Sequence, residues 1–225
     1  MKKYTDEEEI RLLEAHALVE QGNIEESQAF YDEAMVLYTE ARQIYEALEY
    51  PKGKAEVLSA IARVLDNQGE SEEALEILQE ALCIVEGNGL YLTKAIVYSE
   101  MGRIYQSLCA YSQALDAHNQ ALLINRELGN KIVEGRNIGN IGNLYLHMGE
   151  YKKSLDAYFQ ALSINRALGN KRNEGHNFGN IGLVYKNTGK YGEAIESFQK
   201  ALTNSDARGS NVSNAIDMTL ARALN

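Results

Sequence analysis

"GRNIGNIGNLY", residues 135–145, packs three glycines and three asparagines into eleven positions. Taken alone it suggests a loop, even a phosphate cradle built from backbone N–H groups. Forty residues on, "GHNFGNIGLVY" runs from 175 to 185 and returns Gly135, Asn137, Gly139, Asn140, Ile141, Gly142 and Tyr145 as Gly175, Asn177, Gly179, Asn180, Ile181, Gly182 and Tyr185. The flank "ALLINRELGNK" at 121–131 returns as "ALSINRALGNK" at 161–171. Alanine stands at 41, 81, 121, 161 and 201, and Ile44, Ile84, Ile124 and Ile164 share another slot. A fixed period of this size signals stacked supersecondary units, each too small to bury its own apolar face.

Each unit is expected to be two helices. Ile138, Ile141, Gly142 and Tyr145 follow the i, i+3, i+4, i+7 spacing of one helical stripe. The second helix starts at Tyr151 and carries Leu155, Tyr158, Ala161, Leu162 and Ile164. Gly149 and Gly189 fit left-handed residues that close one helix before the next begins, and "LGNK" at 128–131 and 168–171 ends the second helix in the same way. Gly135, Gly139 and Gly142 therefore lie along one helix, where a glycine costs up to about 1 kcal/mol against alanine. Close approach of a neighbouring helix would offset that cost, and the equivalent slots are also small: Ala62 and Gly102 for Gly142, Ser59 and Ser99 for Gly139. A phosphate loop needs a strand before it and a helix start after it, and the pattern offers neither.

This pattern resembles the tetratricopeptide repeat (TPR) family. The resemblance rests on Gly142, Tyr145, Gly149, Tyr151, Tyr158 and Ala161, and again on Gly182, Tyr185, Gly189, Tyr191, Ala194, Phe198 and Ala201. The long period and the literal Leu-Gly-Asn turns at Leu128–Asn130 and Leu168–Asn170 resemble the subclass found in G-protein-signalling modulators that act as spindle-orientation adaptors. Ser71, Cys109 and Asn88 depart from that pattern at the turn aromatic, turn glycine and turn leucine. The resemblance implies an all-α, right-handed solenoid of antiparallel helix pairs in one domain. It has about five repeats (roughly 7–48, 51–88, 91–128, 131–168 and 171–208) and a terminal helix over 211–224, or the first half of a sixth unit. In the first unit the expected turn is Gly22-Asn23, seven residues early for the period, which makes 24–48 one long second helix.

Function follows the same resemblance. The first helices are expected to line a concave side. The inward slots are Glu56, Arg63, Asp66 and Asn67 in the second unit and Glu100, Arg103, Gln106 and Ser107 in the third; the fourth has Arg136, Asn140, Asn143 and His147, the fifth His176, Asn180, Lys186 and Asn187. Asn and Arg at such slots hold the partner peptide in the family. Arg136 with Asn140, and His176 with Asn180, stand at i, i+4 on one face. Asparagine offers a donor and an acceptor for a peptide backbone, and arginine a planar fork for a carboxylate. Arg136, Asn140, His176 and Asn180 are thus the candidate peptide-binding residues, supported by Asn143, Arg103 and Lys186, with an acidic or C-terminal carboxylate peptide as partner. The plainer alternative is a solvated face, with Arg103 paired to Glu100 on its own helix.

Composition narrows the rest. A net charge of −10 argues against global attraction to nucleic acid or an anionic membrane. "MKKYTDEEEI" has two lysines but no apolar run after them, and no stretch approaches a membrane span, so a cytoplasmic protein is expected. Cys83 and Cys109 form no metal-ligand spacing, His118 falls in an aromatic core slot, and no catalytic motif occurs. No cofactor, metal or catalysis is expected. Two other readings stay open: a scaffold self-associating through its end units, and a sensor domain for a peptide or small ligand in a larger system.

Overall fold

Left-handed residues recur every twenty positions in the computed structural model, which describes residues 4–204. Ala29, Glu49, Gly69, Gly89, Cys109, Gly129, Gly149, Gly169 and Gly189 all have positive φ. At every one of these turns the amide one residue on donates back across six residues to a carbonyl of the preceding helix, as Phe30 N does to Glu25 O at 2.9 Å and Glu150 N to Tyr145 O at 2.8 Å. This is the Schellman closure, which satisfies carbonyls that a helix end leaves orphaned.

The turns separate ten helices among the described residues: α1 (Asp6–Ser27), α2 (Tyr31–Ala47), α3 (Pro51–Gln68), α4 (Ser71–Gly87), α5 (Tyr91–Ser107), α6 (Tyr111–Glu127), α7 (Lys131–His147), α8 (Tyr151–Ala167), α9 (Lys171–Asn187) and α10 (Tyr191–Asn204). No strand occurs among these residues. Consecutive helices pack as antiparallel pairs, α1 on α2, α3 on α4, α7 on α8 and α9 on α10. The expected all-α repeat architecture is what the chain adopts. The terminal helix expected over 211–224 lies outside the described residues.

The Leu-Gly-Asn turns are explained by local chemistry. Gly129 and Gly169 supply the left-handed residue. Asn130 and Asn170 cap α7 and α9, their side chains accepting from Val133 N at 3.4 Å and Asn173 N at 3.1 Å. At the chain start, Thr5 and Glu8 form a capping box: Thr5 N donates to the Glu8 carboxylate at 2.8 Å, and Glu8 N to Thr5 Oγ1 at 3.3 Å. Pro51 opens α3, where its missing N–H costs nothing.

The expected turn at Gly22-Asn23 does not form. Helix α1 runs through it to Ser27, and the turn falls at Ala29, in phase with Gly69, Gly149 and Gly189. Residues 24–48 are therefore not one helix. Gly22 holds the slot of Gly142, and a methyl group placed on it would lie 2.6 Å from the Tyr38 ring.

That slot obeys a pairing rule. Gly22, Gly102, Gly142 and Gly182 each face a ring: Tyr38, His118, Tyr158 and Phe198, with 2.6–2.8 Å to an added methyl. In the remaining repeat the same two slots hold Ala62 and Leu78, both fully buried. The close approach expected at Gly139 and Gly179 is absent: nothing lies nearer than Asn177 Oδ1, 4.0 Å from a methyl on Gly139, and nothing at all within 4 Å at Gly179. Close packing belongs to Gly135 and Gly142, and to Gly175 and Gly182.

The chain forms two compact units, divided between Ile124 and Asn125 inside α6. The core of the first unit gathers Tyr38, Tyr45, Leu58, Val64, Leu78, Val85 and Ile104, and that of the second Tyr158, Leu162, Phe178, Ile181, Val184 and Ala201.

Candidate functional site

The exposed face of the first helices differs between the two units. In the first unit its charged residues are tied to one another. Arg63 on α3 donates through Nε and Nη2 to the two Glu26 oxygens on α1, both at 2.6 Å. The Tyr38 hydroxyl donates to Glu26 Oε2 and Asn23 Oδ1, each at 2.9 Å. One repeat on, Arg103 Nη1 donates to Asp66 Oδ2 at 2.6 Å and its Nε to Glu100 at 3.1 Å. Ser71 and Ser107 hydroxyls donate to the other Asp66 oxygen at 2.6 and 3.0 Å. The Asp66 side chain is nearly buried, so this is a desolvated bond rather than a loose surface pair. Arg103 is thus held by Asp66 and Glu100, and only its Nη2 is buried without a partner.

In the second unit the same face carries amides. Asn143 sits at its centre: Oδ1 accepts from the Tyr158 hydroxyl at 2.6 Å and from Asn180 Nδ2 at 3.3 Å, joining α7, α8 and α9. Burial pushes the Tyr158 hydroxyl up to about 12, so it remains a donor across the physiological range. Asn140 and Asn180 are half-buried, Arg136 and His176 exposed, and Lys186 half-buried. The Asn140 amide makes no hydrogen bond to a described side chain or backbone group, and Arg136, His176 and Lys186 form no ion pair among the described residues. Both "GNIG" segments are helical throughout. The structure thus brings Asn143 and Asn180 into direct contact and leaves Asn140, Arg136, His176 and Lys186 with open valences. Arg103 belongs to the first unit.

Two buried features were not expected from the sequence. Glu134 and Glu174 are buried at the starts of α7 and α9. Glu134 accepts from Lys131 at 2.7 Å and Arg126 at 3.0 Å; Glu174 accepts from Lys171 at 3.0 Å and faces Arg166 at 3.6 Å. Burial works to raise the Glu134 carboxyl, but the bonds from Lys131 and Arg126 outweigh it and hold the group below the usual carboxylate range. Asn125, Asn137, Asn165 and Asn177 are also buried. Asn165 Oδ1 and Asn177 Nδ2 have no hydrogen-bond partner. Their slots hold Val85 and Val97 two repeats earlier, both buried. The spacing Arg-(x7)-Glu shared by 126–134 and 166–174 was the available signal for the first feature, and asparagine inside the apolar "IN" of both "INR" segments for the second.

No group of three or more His, Cys, Asp and Glu side chains able to hold a metal occurs among the described residues, and no described helix is long and apolar enough to cross a membrane.

Comparison with known proteins places the repeats in a family. The tetratricopeptide repeat model matches residues 13–87, 55–127, 93–166 and 135–207 in overlapping windows. No curated protein matches the chain. Among solved structures it is similar to a signal-transduction ATPase with numerous domains, carrying a tetratricopeptide repeat sensor, from Pyrococcus horikoshii (24% identity, TM-score 0.79, 93% of this chain and 32% of that one). It is similar to aspartyl phosphate phosphatase F from Bacillus subtilis (16%, 0.80, 95% and 56%) and to BtubC from P. vanneervenii (22%, 0.67, 95% and 93%). The chain spans about a third of the first of these and just over half of the second. At these identities the likeness is one of fold.

Proposed function

Because the chain belongs to the tetratricopeptide repeat family, whose repeats mediate protein–protein interaction, we propose that it is an adaptor that captures a peptide segment of another protein on the α7–α9 face. The observation that carries this reading is the contrast between the units. The first unit spends its Arg63 and Arg103 on Glu26, Asp66 and Glu100. The second leaves Asn140, Arg136, His176 and Lys186 unengaged, with Asn180 positioned by Asn143. Asn140 and Asn180 bond the peptide backbone, while Arg136, His176 and Lys186 favour an acidic segment or a C-terminal carboxylate. Asn143 acts as the positioning residue, while Arg103, held by Asp66 and Glu100 in the first unit, is left out of this face. The adaptor role of the Leu-Gly-Asn-rich subclass and a cytoplasmic place of action belong to the same proposal.

The test is fluorescence anisotropy with labelled acidic peptides, C-terminally free or amidated, against basic peptides of equal length. The expected result is selective binding of acidic peptides that Asn140→Ala plus Asn180→Ala abolishes with helicity intact. Binding salt dependence should be moderate, since only a few charges contribute. Equal binding by wild type and the double variant refutes the assignment of the face.

A further inference from the structure

Helix α1 keeps an exposed apolar stripe. Ile10 and Leu13 are each 67% exposed and Ile24 55%, and Ala17 between them is exposed too. The spacing 10, 13, 17, 24 lies along one helical face. Moved on by one period, these positions are Tyr50, Gly53, Val57 and Val64 of the α3 region. Gly53 sits against Tyr45 and Tyr50, and Val57 and Val64 are fully buried. Moved on by two, they are Leu90, Thr93, Val97 and Ile104, of which the last three are buried. Helix α2 packs on α3, and α4 on α5. In later repeats, therefore, this stripe is the surface that receives the preceding helix pair. On α1 the surface is formed, still apolar and open.

Charge selects the occupant. Residues 1–124 hold nine Lys and Arg against 23 Asp and Glu, whereas residues 125–225 hold 13 against nine. The whole-chain charge of −10 thus conceals an acidic half and a basic half. Helix α1 is the extreme case, with eight acids and Arg11 alone, and Glu9, Glu14 and Glu20 stand exposed beside the stripe. Two α1 faces would repel each other. Residues 171–204 lean the other way, with five Lys and Arg against three Glu; Lys171 and Lys200 pair with Glu174 and Glu196, and Arg172 and Lys190 stand exposed with no ion pair among the described residues.

We propose that the α1 stripe is a docking surface for the basic α9–α10 pair of a second copy of this chain. Such a contact is heterologous: each copy offers two different surfaces, one to each neighbour. The apolar stripe supplies the attraction and the charge asymmetry sets the polarity. The peptide-binding face plays no part in it, so the two readings stand or fall separately.

Sedimentation velocity over about a hundredfold range of concentration tests the proposal. The wild type is expected to rise from the 25.1 kDa monomer to species larger than a dimer. Ile10→Glu plus Leu13→Glu should remain monomeric with unchanged helicity, since both side chains already face solvent. Val36→Glu is the control: this exposed α2 position is acidic in every later repeat, at Glu76, Asp116, Asp156 and Glu196, and the variant should assemble like wild type. Added to wild type, the double variant should shorten the assemblies, because it still offers its basic pair. Association should weaken as salt is raised. A wild type monomeric throughout, an undiminished double variant, an equally weakened Val36→Glu, or association strengthened by salt each overturns the proposal.

Discussion

Gly142 is the most informative position for testing how this chain packs. Replacing it with alanine places a methyl 2.7 Å from Tyr158 Cε1 and 2.8 Å from Cδ1, whereas carbon atoms rest about 3.5–4.0 Å apart. The ring must retreat by roughly 1 Å to restore that spacing. It is poorly placed to do so, because Tyr158 is fully buried and its hydroxyl is held at 2.6 Å by Asn143. Overpacking of this kind costs about 1–3 kcal/mol, and the better helix propensity of alanine returns up to about 1 kcal/mol. Gly139→Ala receives the same propensity gain with its nearest neighbour a full 4.0 Å away. The two variants, three residues apart on one helix, should therefore differ in stability by about 1–3 kcal/mol, with Gly139→Ala above wild type. The repeat with Ala62 and Leu78 supplies the second half of the test. In a Tyr158→Leu background, Gly142→Ala should cost at least about 1 kcal/mol less than in wild type. Urea unfolding followed by far-UV circular dichroism, on all variants under one condition, measures both differences. The pairing rule is refuted if Gly142→Ala is as stable as Gly139→Ala, or if its cost is unchanged in the Tyr158→Leu background.

Three further outcomes follow from the geometry. Ala29→Gly, at φ +65, should stabilise the chain by about 1 kcal/mol; Cys109→Gly, at φ +56, should gain less because the thiol contacts Tyr111, and thermal melts rank the two. Asn165→Val plus Asn177→Val restores the Val85 and Val97 arrangement and removes two unsatisfied amide atoms, so its urea midpoint should rise, by about 1–3 kcal/mol in stability. Burial lowers His118 to about 4 from its usual 6.5, so the unfolded chain binds the extra proton between those values. The stability from the neutral imidazole is complete above about pH 6.5 and falls by up to about 3 kcal/mol as pH drops towards 4. His118→Phe, the residue type found at 198, should flatten the melting temperature against pH from 6.5 to 4.5.

The period made most of the fold legible, and its failures have physical causes. Gly22-Asn23 resembles a turn because glycine and asparagine punctuate turns elsewhere in the chain, at Gly129-Asn130 and Gly169-Asn170. The real turn at Ala29 has no such residue, so local chemistry pointed to the wrong place while the period of the other turns gave the right one. The stripe Gly135, Gly139, Gly142 misled differently. Its members share a direction along α7, but Gly135 and Gly142 meet α8 through Ile164 and Tyr158, whereas Gly139 looks towards Asn177 of α9. Residue spacing reports which face a side chain occupies, not whether another chain segment touches it. The double engagement of Asn143 was invisible for a related reason: its slot holds Leu183 in the next repeat and Arg103 in the one before, so repetition offered no hint of a shared partner.

The repeats nevertheless act as controls for one another, and this separates packing from binding. Where a residue changes between repeats and its neighbour changes with it, the pair is packing. Gly with an aromatic ring gives way to Ala62 with Leu78. Where an exposed residue is tied down in one unit and its counterpart is unengaged in the other, packing accounts only for the first. Glu100 pairs with Arg103, while Asn140 in the same slot bonds nothing described. An amide costs little to leave hydrated at a half-buried position, so stability alone does not favour Asn140 over alanine. The energetic asymmetry therefore lies in what each unit can still offer. The first unit must break a buried Asp66–Arg103 bond before it can bind anything with those groups, whereas the second can use Asn140, Arg136, His176 and Lys186 without breaking a bond. Removing the internal tie with Asp66→Asn should loosen the first unit and leave the acidic-peptide affinity of the second unchanged.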